Sequence, residues 1–457
     1  MLRHYRFLRV SRLCAAAALA CVASAKIDSD ALAADVLATE ASPEPFHVWT
    51  AGCAHVGVDS LYGIEPIRHA IRQSEGFWSF LTPTEQKLAG IPPAFDWDIM
   101  LNLGDFATGQ FPPSDGEGRA VVDQYSALEK HAREDVYSLA GNHDGGYYDQ
   151  GPGTWFRRWI DPLGEHPETS GVHAERRPFP IEGTWERYSF QAGNVLFLVL
   201  ADRNDVASPV GRGHSRDRGM GGFPAGAVTR ETFEWWKEQV LANQDKIIIT
   251  AHHHVLRDTT ARSTVGGGGG AHARGAKDFA GASFLYYIIE NEDPDAFEYT
   301  MSTPETPGPF ETFLATFEQE HGRPAIDLWL GGHTHSQPGE VVDGRSLAEQ
   351  RWGVTFLQVA ALTHRNTART PMSRLLRFEP GSDALAIDLY IHGARYYSHA
   401  PPAVLKKLGV DLERPPAPEG AIQRNGWFEP EARVVPLRHA FEAPPADKRP
   451  GNEADGY

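Results

Sequence analysis

The sequence predicts an α/β fold in which strands and helices alternate along most of the chain. Apolar, strand-like runs alternate with amphipathic helical patterns from about residue 46 to residue 391. Within residues 98–140 a strand, a helix and a second strand follow one another, which is the order of a parallel crossover unit. Polar side chains follow several of these strands directly, and the loops at strand ends carry the chemistry of layered α/β domains.

The N-terminal half of the pattern contains three predicted strands separated by two helices. The predicted elements are strands at residues 46–50, 98–103 and 135–140 and helices at residues 64–74 and 119–133. Residues 82–95 carry prolines and little periodicity, so we expect a surface insertion there.

The C-terminal half continues the alternation and ends in a run of strands. The predicted elements are a hairpin at residues 187–190 and 194–200, a helix at 229–244, a strand at 246–250, a helix at 309–321, and strands at 327–330, 354–360, 374–378 and 384–391. Glycines at positions 266–270 open a loop that we interpret as a surface flap. No Gly-Lys-Ser/Thr follows them, so they are not a phosphate-binding loop.

Length and charge limit the classes of function. A chain of 457 residues can bury a large core, as one large domain or as two to three smaller ones. Its net charge of −17 argues against a nucleic-acid scaffold or membrane surface as partner, since both select a basic face. A small phosphorylated substrate remains compatible with this charge, because bound metal ions can reverse the local field.

The N-terminus has the pattern of a signal peptide covering residues 1–25. Arginines at positions 3, 6, 9 and 12 precede an apolar run at residues 13–22 that is too short to span a bilayer, and small residues follow. Lipid attachment at Cys21 is a weaker alternative, because Ala18 is a poor match for such a site. No comparable apolar run follows. We therefore expect an exported protein, secreted or periplasmic, without a transmembrane segment.

The remainder divides into three expected regions. Residues 26–44 form a flexible segment, residues 45–400 the main folded domain, and residues 401–457 a proline-rich arm that is packed on the body or partly disordered. Removal of the signal peptide would leave Cys53 as the sole cysteine, which excludes an internal disulfide. Cys53 is then a buried small hydrophobe, a free thiol or a metal ligand.

The strand ends carry a recurring set of metal-binding side-chain types. The third predicted strand runs into Gly141-Asn142-His143-Asp144, where Asn142 offers an amide oxygen and His143 an imidazole. The companion segments are Cys53-Ala54-His55, Gly104-Asp105, His252-His253-His254 and Gly332-His333-Thr334-His335. Any single histidine among them could be a solvated loop residue. Together they predict a site for zinc, iron or manganese.

These segments resemble the motif blocks of the calcineurin-like metallophosphoesterase family, over about residues 46–392. The family blocks read Asp-x-His, Gly-Asp, Gly-Asn-His-Asp/Glu, a strand-end His and Gly-His-x-His, and four of the five stand intact here. The resemblance implies a two-sheet α/β sandwich with helices on the outside and two divalent metal ions. It also implies hydrolysis of phosphate mono- or diesters by attack of a metal-bridging hydroxide.

The resemblance assigns a ligand to each position. The implied set is Asp105 as the bridge, His55 and His335 at the first metal, and Asn142, His252 and His333 at the second. His252 is chosen because it is the first histidine after its strand, while His253 and His254 remain possible contacts. His143, paired with Asp144, would act as an acid or charge stabiliser beside the leaving oxygen. Candidate substrate contacts are Arg203, Arg257 and His364.

Cys53 departs from the family pattern, because it stands where the first block has an aspartate. A thiolate there would be a good zinc ligand and would disfavour magnesium or manganese. Alternatively, the thiol stays protonated and the first metal is weak or absent. Cys53 therefore supports one alternative to an active phosphoesterase, a catalytically weak or inactive ligand-binding member of the fold. A second alternative is a metal hydrolase with a different substrate, because a fold does not fix function. No oligomeric state follows from the sequence.

Overall fold

The computed structural model describes the chain in several ranges. These are residues 44–60, 64–76, 80–89, 91, 93–109, 111–216, 225–264, 283–363, 370–392, 402–407 and 426–448. The predicted signal peptide, nearly all of the segment 26–44, the glycine-rich stretch at 266–281 and His364 lie outside the described residues, as does much of the arm 401–457.

Strands and helices alternate as the sequence predicts. The strands are β1 Phe46–Ala51, β2 Ile99–Asn102, β3 Val136–Ser138, β4 Glu182–Gly183, β5 Arg187–Ala192, β6 Val195–Leu200, β7 Gly226–Thr229, β8 Ile247–His252, β9 Leu285–Asn291, β10 Glu298–Met301, β11 Leu328–Gly331, β12 Ala348–Arg351, β13 Val354–Gln358, β14 Met372–Phe378, β15 Ala384–Ile391, β16 Gly426–Trp427 and β17 Arg433–Pro436. The helices are α1 Pro66–Ser74, α2 Pro83–Ala89, α3 Asp115–Tyr125, α4 Thr154–Trp159, α5 Pro167–Ser170, α6 Arg230–Ala242, α7 Pro309–His321 and α8 Pro402–Lys407.

Two mixed sheets form the body. The first has the order β16-β15-β14-β1-β2-β3, with β17 also paired to β15, and the second has the order β12-β13-β11-β8-β6-β5-β4. In the first sheet β1, β2 and β3 are parallel, and in the second β6, β8, β11 and β13 are parallel. A third sheet, β10-β9-β7, was not predicted from the sequence.

The main core lies between the two large sheets. Phe46 and Leu101 of the first sheet share one apolar cluster with Phe197 and Ile249 of the second. Side chains from α1, α3 and α4 cover the other face of the first sheet, and those of α6 and α7 cover the other face of the second. The expected sandwich of two sheets with helices outside is therefore confirmed. The central strands of such a sandwich, among them β2, β6, β8 and β11, are buried on both faces, which explains their continuous apolar runs in the sequence.

The expected surface insertion at residues 82–95 lies largely at the surface and contains a helix, α2, which the sequence did not predict. Thr82 and Glu85 stabilise its first turn through reciprocal hydrogen bonds. One local prediction was wrong. Helix α3 begins and ends earlier than predicted, because Ser114 and Glu117 form a capping box that fixes its start. The glycine at position 118 in this helix is needed for packing, since an added Cβ would lie 2.3 Å from the ring of Trp159.

The chain beyond residue 400 contributes to the first sheet and to the core. Strand β17 pairs antiparallel with β15, and the buried ring of Phe441 stacks on Phe46 with ring centroids 6.2 Å apart. Among the described residues, no helix combines the length and the apolar character that crossing a membrane requires.

Candidate metal centre

The candidate centre lies where the carboxyl ends of parallel strands from both large sheets meet. The first sheet contributes Cys53 and His55 after β1, Asp105 after β2 and Asn142 after β3. The second sheet contributes His253 after β8, and His333 and His335 after β11. All of these side chains are buried. Parallel strands place their carboxyl ends at one edge of a sheet, which is why residues so distant in sequence converge.

Asp105 is at the middle of the cluster. Its Oδ2 lies 3.1 Å from His253 Nε2, 3.6 Å from His55 Nε2 and 3.9 Å from Cys53 Sγ. Its Oδ1 accepts the backbone N–H of His143 at 2.9 Å, which fixes the carboxylate. One oxygen of Asp105 therefore faces ligand atoms on two sides, as a bridging ligand would.

The imidazoles on either side of Asp105 form two close pairs. His55 Nε2 is 3.1 Å from His335 Nε2, and His253 Nε2 is 3.2 Å from His333 Nδ1. Nitrogen ligands bound to one zinc ion at about 2.0–2.1 Å are roughly 3.0–3.4 Å apart. The spacing of both pairs thus matches ligands that share an ion.

Backbone carbonyls orient three of the imidazoles. The Nδ1 atom of His55 lies 2.9 Å from Ala107 O, that of His253 lies 2.6 Å from Leu103 O, and that of His143 lies 2.7 Å from Gly109 O. A hydrogen bond from Nδ1–H to each carbonyl leaves Nε2 as the atom that can accept a metal or a proton.

Asn142 adds an amide to this group. Its backbone carbonyl accepts hydrogen bonds from the side chains of Asn204 and Arg212, and the Arg212 contact is 3.1 Å long. Within the part of the chain that the structure describes, neither side-chain atom of Asn142 has a hydrogen-bond partner, although the residue is 1% exposed. A buried amide without a partner is costly unless a ligand completes it. The donor set therefore fits divalent cations.

Backbone strain is concentrated at the same loops. Cys53, His55 and Asp105 have φ angles of 47°, 43° and 58°, in the left-handed region that non-glycine residues rarely adopt. Such residues cost about 1–3 kcal/mol each and occur preferentially at functional sites. Gly141 is required by the close approach of two loops, because an added Cβ would lie 2.3 Å from Asp105 Oδ1.

Burial and neighbouring charges shift the pKa values of His55 and His253, on the two sides of Asp105, in opposite directions. Burial and the neighbouring His143 lower the pKa of His55 to about 4, so this ring is neutral at pH 7. Burial also lowers the pKa of His253, but the carboxylate of Asp105 outweighs this effect and raises it to about 9. In the metal-free protein the His253–Asp105 contact is thus an ion pair.

Cys53 is held differently from the histidines. Its Sγ donates a hydrogen bond to the carbonyl of Gly332 at 2.9 Å. Burial, together with the negative charges of Asp105 and Asp144, raises the pKa of the thiol well above its usual value. Without a bound cation the thiol is protonated.

The structure places one predicted ligand, His252, outside the cluster around Asp105. His253, and not His252, contacts Asp105 and His333, while His252 lies 4.0 Å from Asp202 beside His254. Consecutive residues at a strand end project in opposite directions, so the two histidines belong to different clusters. The other predicted ligands, Cys53, His55, Asp105, Asn142, His333 and His335, follow the strand ends that meet here.

Asp144 does not contact His143 as predicted. Its carboxylate accepts four backbone hydrogen bonds of 2.8–3.1 Å, from the N–H groups of Asp105, Phe106, Ala107 and Gly141. Asp144 therefore fixes the Asp105 loop against the Gly141 loop. Burial lowers the pKa of His143, and the charge of Asp105 raises it. The effect of burial is the larger, so the pKa lies below its usual value.

The predicted substrate contacts that the structure describes have other partners. Arg203 binds Glu186, Asp205 and Glu292, and Arg257 binds Ser302 and Asp258. Sequence analysis missed Asp202, Asn204 and Arg212, which surround the centre. Asp202 follows the end of β6, so the strand-end rule applied to the other ligands would have found it.

A buried cluster of imidazole, carboxylate, amide and thiol groups at the strand ends of a two-sheet sandwich defines an α/β protein with a candidate metal centre. The family model described as calcineurin-like phosphoesterase matches residues 52–337, and the chain belongs to this family. A search of curated proteins found no match.

Comparison with solved structures gave matches of low identity. One is GAP50, described as the anchor in the inner membrane complex of Plasmodium, with 6% identity and a TM-score of 0.37, covering 86% of this chain and 90% of that one. Another is Vps29 of Chaetomium thermophilum, with 8% identity and a TM-score of 0.27, covering 86% and 96%. A Vps29 variant from Entamoeba histolytica has 11% identity and a TM-score of 0.24, covering 76% and 92%.

Proposed function

We propose that this chain is a metal-dependent phosphoesterase that hydrolyses phosphate monoesters or diesters. The position of Asp105 is the observation that carries the proposal. Its Oδ2 faces His253 on one side and His55 on the other, at 3.1 and 3.6 Å, so a single carboxylate can bridge two ions. Two bridged divalent cations are the usual means of activating water for attack on a phosphoryl group.

The residues divide into two pockets on either side of Asp105. The first pocket is His55, His335 and Cys53, and the second pocket is Asn142, His253 and His333. Imidazole, carboxylate and amide ligands suit zinc, iron or manganese. When bound, such ions would supply an activated water and polarise the phosphoryl oxygens of the substrate.

His143 is our proposed proton donor. Its Nδ1 is fixed by Gly109 O at 2.7 Å, and its ring contacts that of His55 edge-on with centroids 4.7 Å apart. The side chain is 6% exposed, which leaves it near the rim of the buried cluster. From there Nε2, once it has taken up a proton, can pass that proton to the leaving oxygen, while Asp144 keeps the two loops in register through backbone hydrogen bonds.

A catalytically weak or inactive member of the family is the second candidate. The observation that favours it is the hydrogen bond from Cys53 Sγ to Gly332 O, which engages the thiol in the metal-free protein. A first pocket that lacks its aspartate and holds a protonated thiol would bind its ion weakly. The protein would then bind a phosphorylated ligand without turning it over.

The test combines metal analysis with turnover. Purified protein is loaded with zinc, iron or manganese and assayed on a chromogenic phosphomonoester and a chromogenic phosphodiester. We expect two ions around Asp105 and turnover that Asp105→Asn abolishes. Two bound ions without turnover of either ester would support the inactive alternative. Turnover that persists in Asp105→Asn would contradict the assignment.

We also propose that the chain is exported, on the basis of residues 1–25. Mass spectrometry of the protein from its native source should show an N-terminus near Lys26. A chain that retains its first 25 residues in the cytoplasm would contradict export.

A further inference from the structure

A second cluster of metal-binding side chains lies behind the candidate centre. It consists of Asp202, just beyond β6, His252, the last residue of β8, and His254, and is called here the Asp202 cluster. Strands β6 and β8 are parallel neighbours with Leu200 opposite His252, which brings the three side chains together. Their exposed fractions are 3%, 0% and 0%. The Asp202 cluster shares no residue with either pocket around Asp105.

The three ligand atoms converge. Asp202 Oδ2 is 2.9 Å from His254 Nδ1 and 4.0 Å from His252 Nε2, and all three atoms lie within 4.8 Å of one another. Within the described part of the chain, Asp202 Oδ2 and His252 Nε2 have no hydrogen-bond partner. Asp202 Oδ2 therefore lies close to His254 Nδ1, but the angles between the two groups are not those of a hydrogen bond. Burying a carboxylate in this way is costly unless a cation neutralises it.

The backbone of His254 fixes the ring of His252. Its Nδ1 lies 3.1 Å from the carbonyl oxygen of His254 and 2.9 Å from the backbone nitrogen of the same residue, whose N–H points at it. In the tautomer that donates Nδ1–H to the carbonyl, the Nε2 lone pair faces Asp202, and a cation bound there would select this tautomer. A backbone carbonyl that holds Nδ1–H is the common support of a metal-binding histidine.

We propose that the Asp202 cluster binds a third divalent cation of the zinc class. Two imidazole nitrogens and one carboxylate oxygen form a ligand set that zinc accepts, with a further position open to water. An ion in this site would act on the second pocket, because the ring of His254 lies against that of His333, with centroids 4.2 Å apart and ring planes inclined at 30°. An ion that fixes His254 would thereby position His333 in the second pocket.

Anomalous diffraction from crystals of the zinc-loaded full chain tests the proposal directly. Data collected at the zinc edge should show a peak enclosed by Asp202, His252 and His254, in addition to the peaks around Asp105. Peaks around Asp105 with none at the Asp202 cluster would overturn this inference and leave the proposed function intact. A peak at the Asp202 cluster alone would support this inference and contradict the proposed function. Absence of all peaks would contradict both.

The adjacent histidines provide a matched pair of variants for solution measurements. His252→Leu should lower the zinc content of dialysed, zinc-loaded protein from about three to about two ions per chain, and its crystals should keep the peaks around Asp105. His253→Leu should also lose an ion, but its crystals should keep the peak at Asp202. A zinc content that His252→Leu leaves unchanged would show that Asp202 and His254 form an ion pair only. If His252→Leu does not fold, the zinc-edge peaks of the unaltered chain still show whether the Asp202 cluster binds an ion.

Discussion

The two pockets on either side of Asp105 differ in one ligand and in their charge. The second pocket pairs a cationic His253 with Asp105 and contains an amide, that of Asn142, for which no described residue provides a hydrogen bond. The first pocket contains a neutral His55 and a thiol that is hydrogen-bonded to Gly332 O. The residue types proposed for the second pocket are therefore those of the family motif blocks, whereas the first pocket has a protonated thiol in place of a carboxylate.

From this difference we expect the site to keep its geometry while its two halves bind metal with unequal affinity. The spacing of the nitrogen pairs is nearly the same in both pockets, at 3.1 and 3.2 Å. What differs is the negative charge available to an ion. His253 in the second pocket must lose its proton before an ion can bind there, and Cys53 in the first pocket must ionise before its thiol can act as a ligand. We expect the second pocket to fill first.

The largest effect is expected for Asp105→Asn, because this change removes the bridge between the pockets. Both ions should be lost and turnover should fall to background, since the loss of a direct ligand exceeds the 10–100-fold loss of affinity typical of supporting residues. Elemental analysis and ester hydrolysis measure both quantities. Asp123→Asn, on the exposed face of α3, is the matched control and should change neither. Full metal occupancy in Asp105→Asn would show that Asp105 does not bridge the two pockets.

His143→Ala should retain both ions and lose turnover by about 10²–10⁴-fold, most strongly for esters with poor leaving groups. The reason is that His143 is placed as a proton donor and not as a ligand. Its ring is nevertheless close to the first pocket, and His55, Asp105 and His143 offer ligand atoms within 4.8 Å of one another. If the variant lost the first ion, His143 would be a substitute ligand that compensates for Cys53.

His333→Ala and His335→Ala separate the pockets, because the two residues are neighbours in sequence and serve opposite sides. Each variant should lose one ion, and His335→Ala should retain the more tightly bound one. Competition with a chelator of known affinity gives the two dissociation constants. If instead the ion left behind in His333→Ala were bound more tightly, the first pocket would be the stronger and the ranking would be reversed.

Binding to the second pocket should depend on pH. Since the pKa of His253 is raised to about 9, an ion must displace this proton, and affinity should rise by up to about tenfold per pH unit until about pH 9. The same shift stabilises the metal-free protein below about pH 6.5, and this stability is lost as the pH rises through about 9. Titration calorimetry of His335→Ala in buffers of different ionisation enthalpy measures the released proton. Affinity independent of pH between 6.5 and 9 would contradict the ion pair.

The smallest change is expected for Cys53→Asp, which restores the family residue. The metal-free variant should be less stable by about 1–3 kcal/mol, because a buried carboxylate would face the Gly332 carbonyl in place of the thiol donor. Bound manganese should recover this stability and keep or raise turnover, since an oxygen ligand suits harder ions. Thermal unfolding with and without manganese measures the difference.

Alkylation of the unaltered protein completes the test of Cys53. If the thiolate binds the first ion, alkylation should be slow with metal and faster once a chelator has removed it. Rapid alkylation of the metal-loaded protein would show that Cys53 is not a ligand. A variant that manganese fails to stabilise would show that the first pocket does not bind this ion through position 53.

The sequence by itself determined the layered α/β fold and most of the candidate site. Apolar runs that alternate with helices leave few other architectures, and Cys53, His55, Asp105, His333 and His335 all follow strand ends directly. Because parallel strands carry their carboxyl ends to one edge, the sequence order alone was sufficient to predict that these side chains meet. The third sheet was not predictable in this way, since β7 is short and the segment before β9 has no periodicity.

Tertiary structure alone decided between residues that the sequence presents as equivalent. His252 and His253 are identical side chains one position apart, and the register of β8 against β6 assigns them to different clusters. Asp144 follows His143 directly, yet its carboxylate accepts three backbone N–H groups from the Asp105 loop and one from Gly141. Which way a side chain points at a strand end depends on the strand's register and twist, and these are set by packing partners more than fifty residues away in sequence.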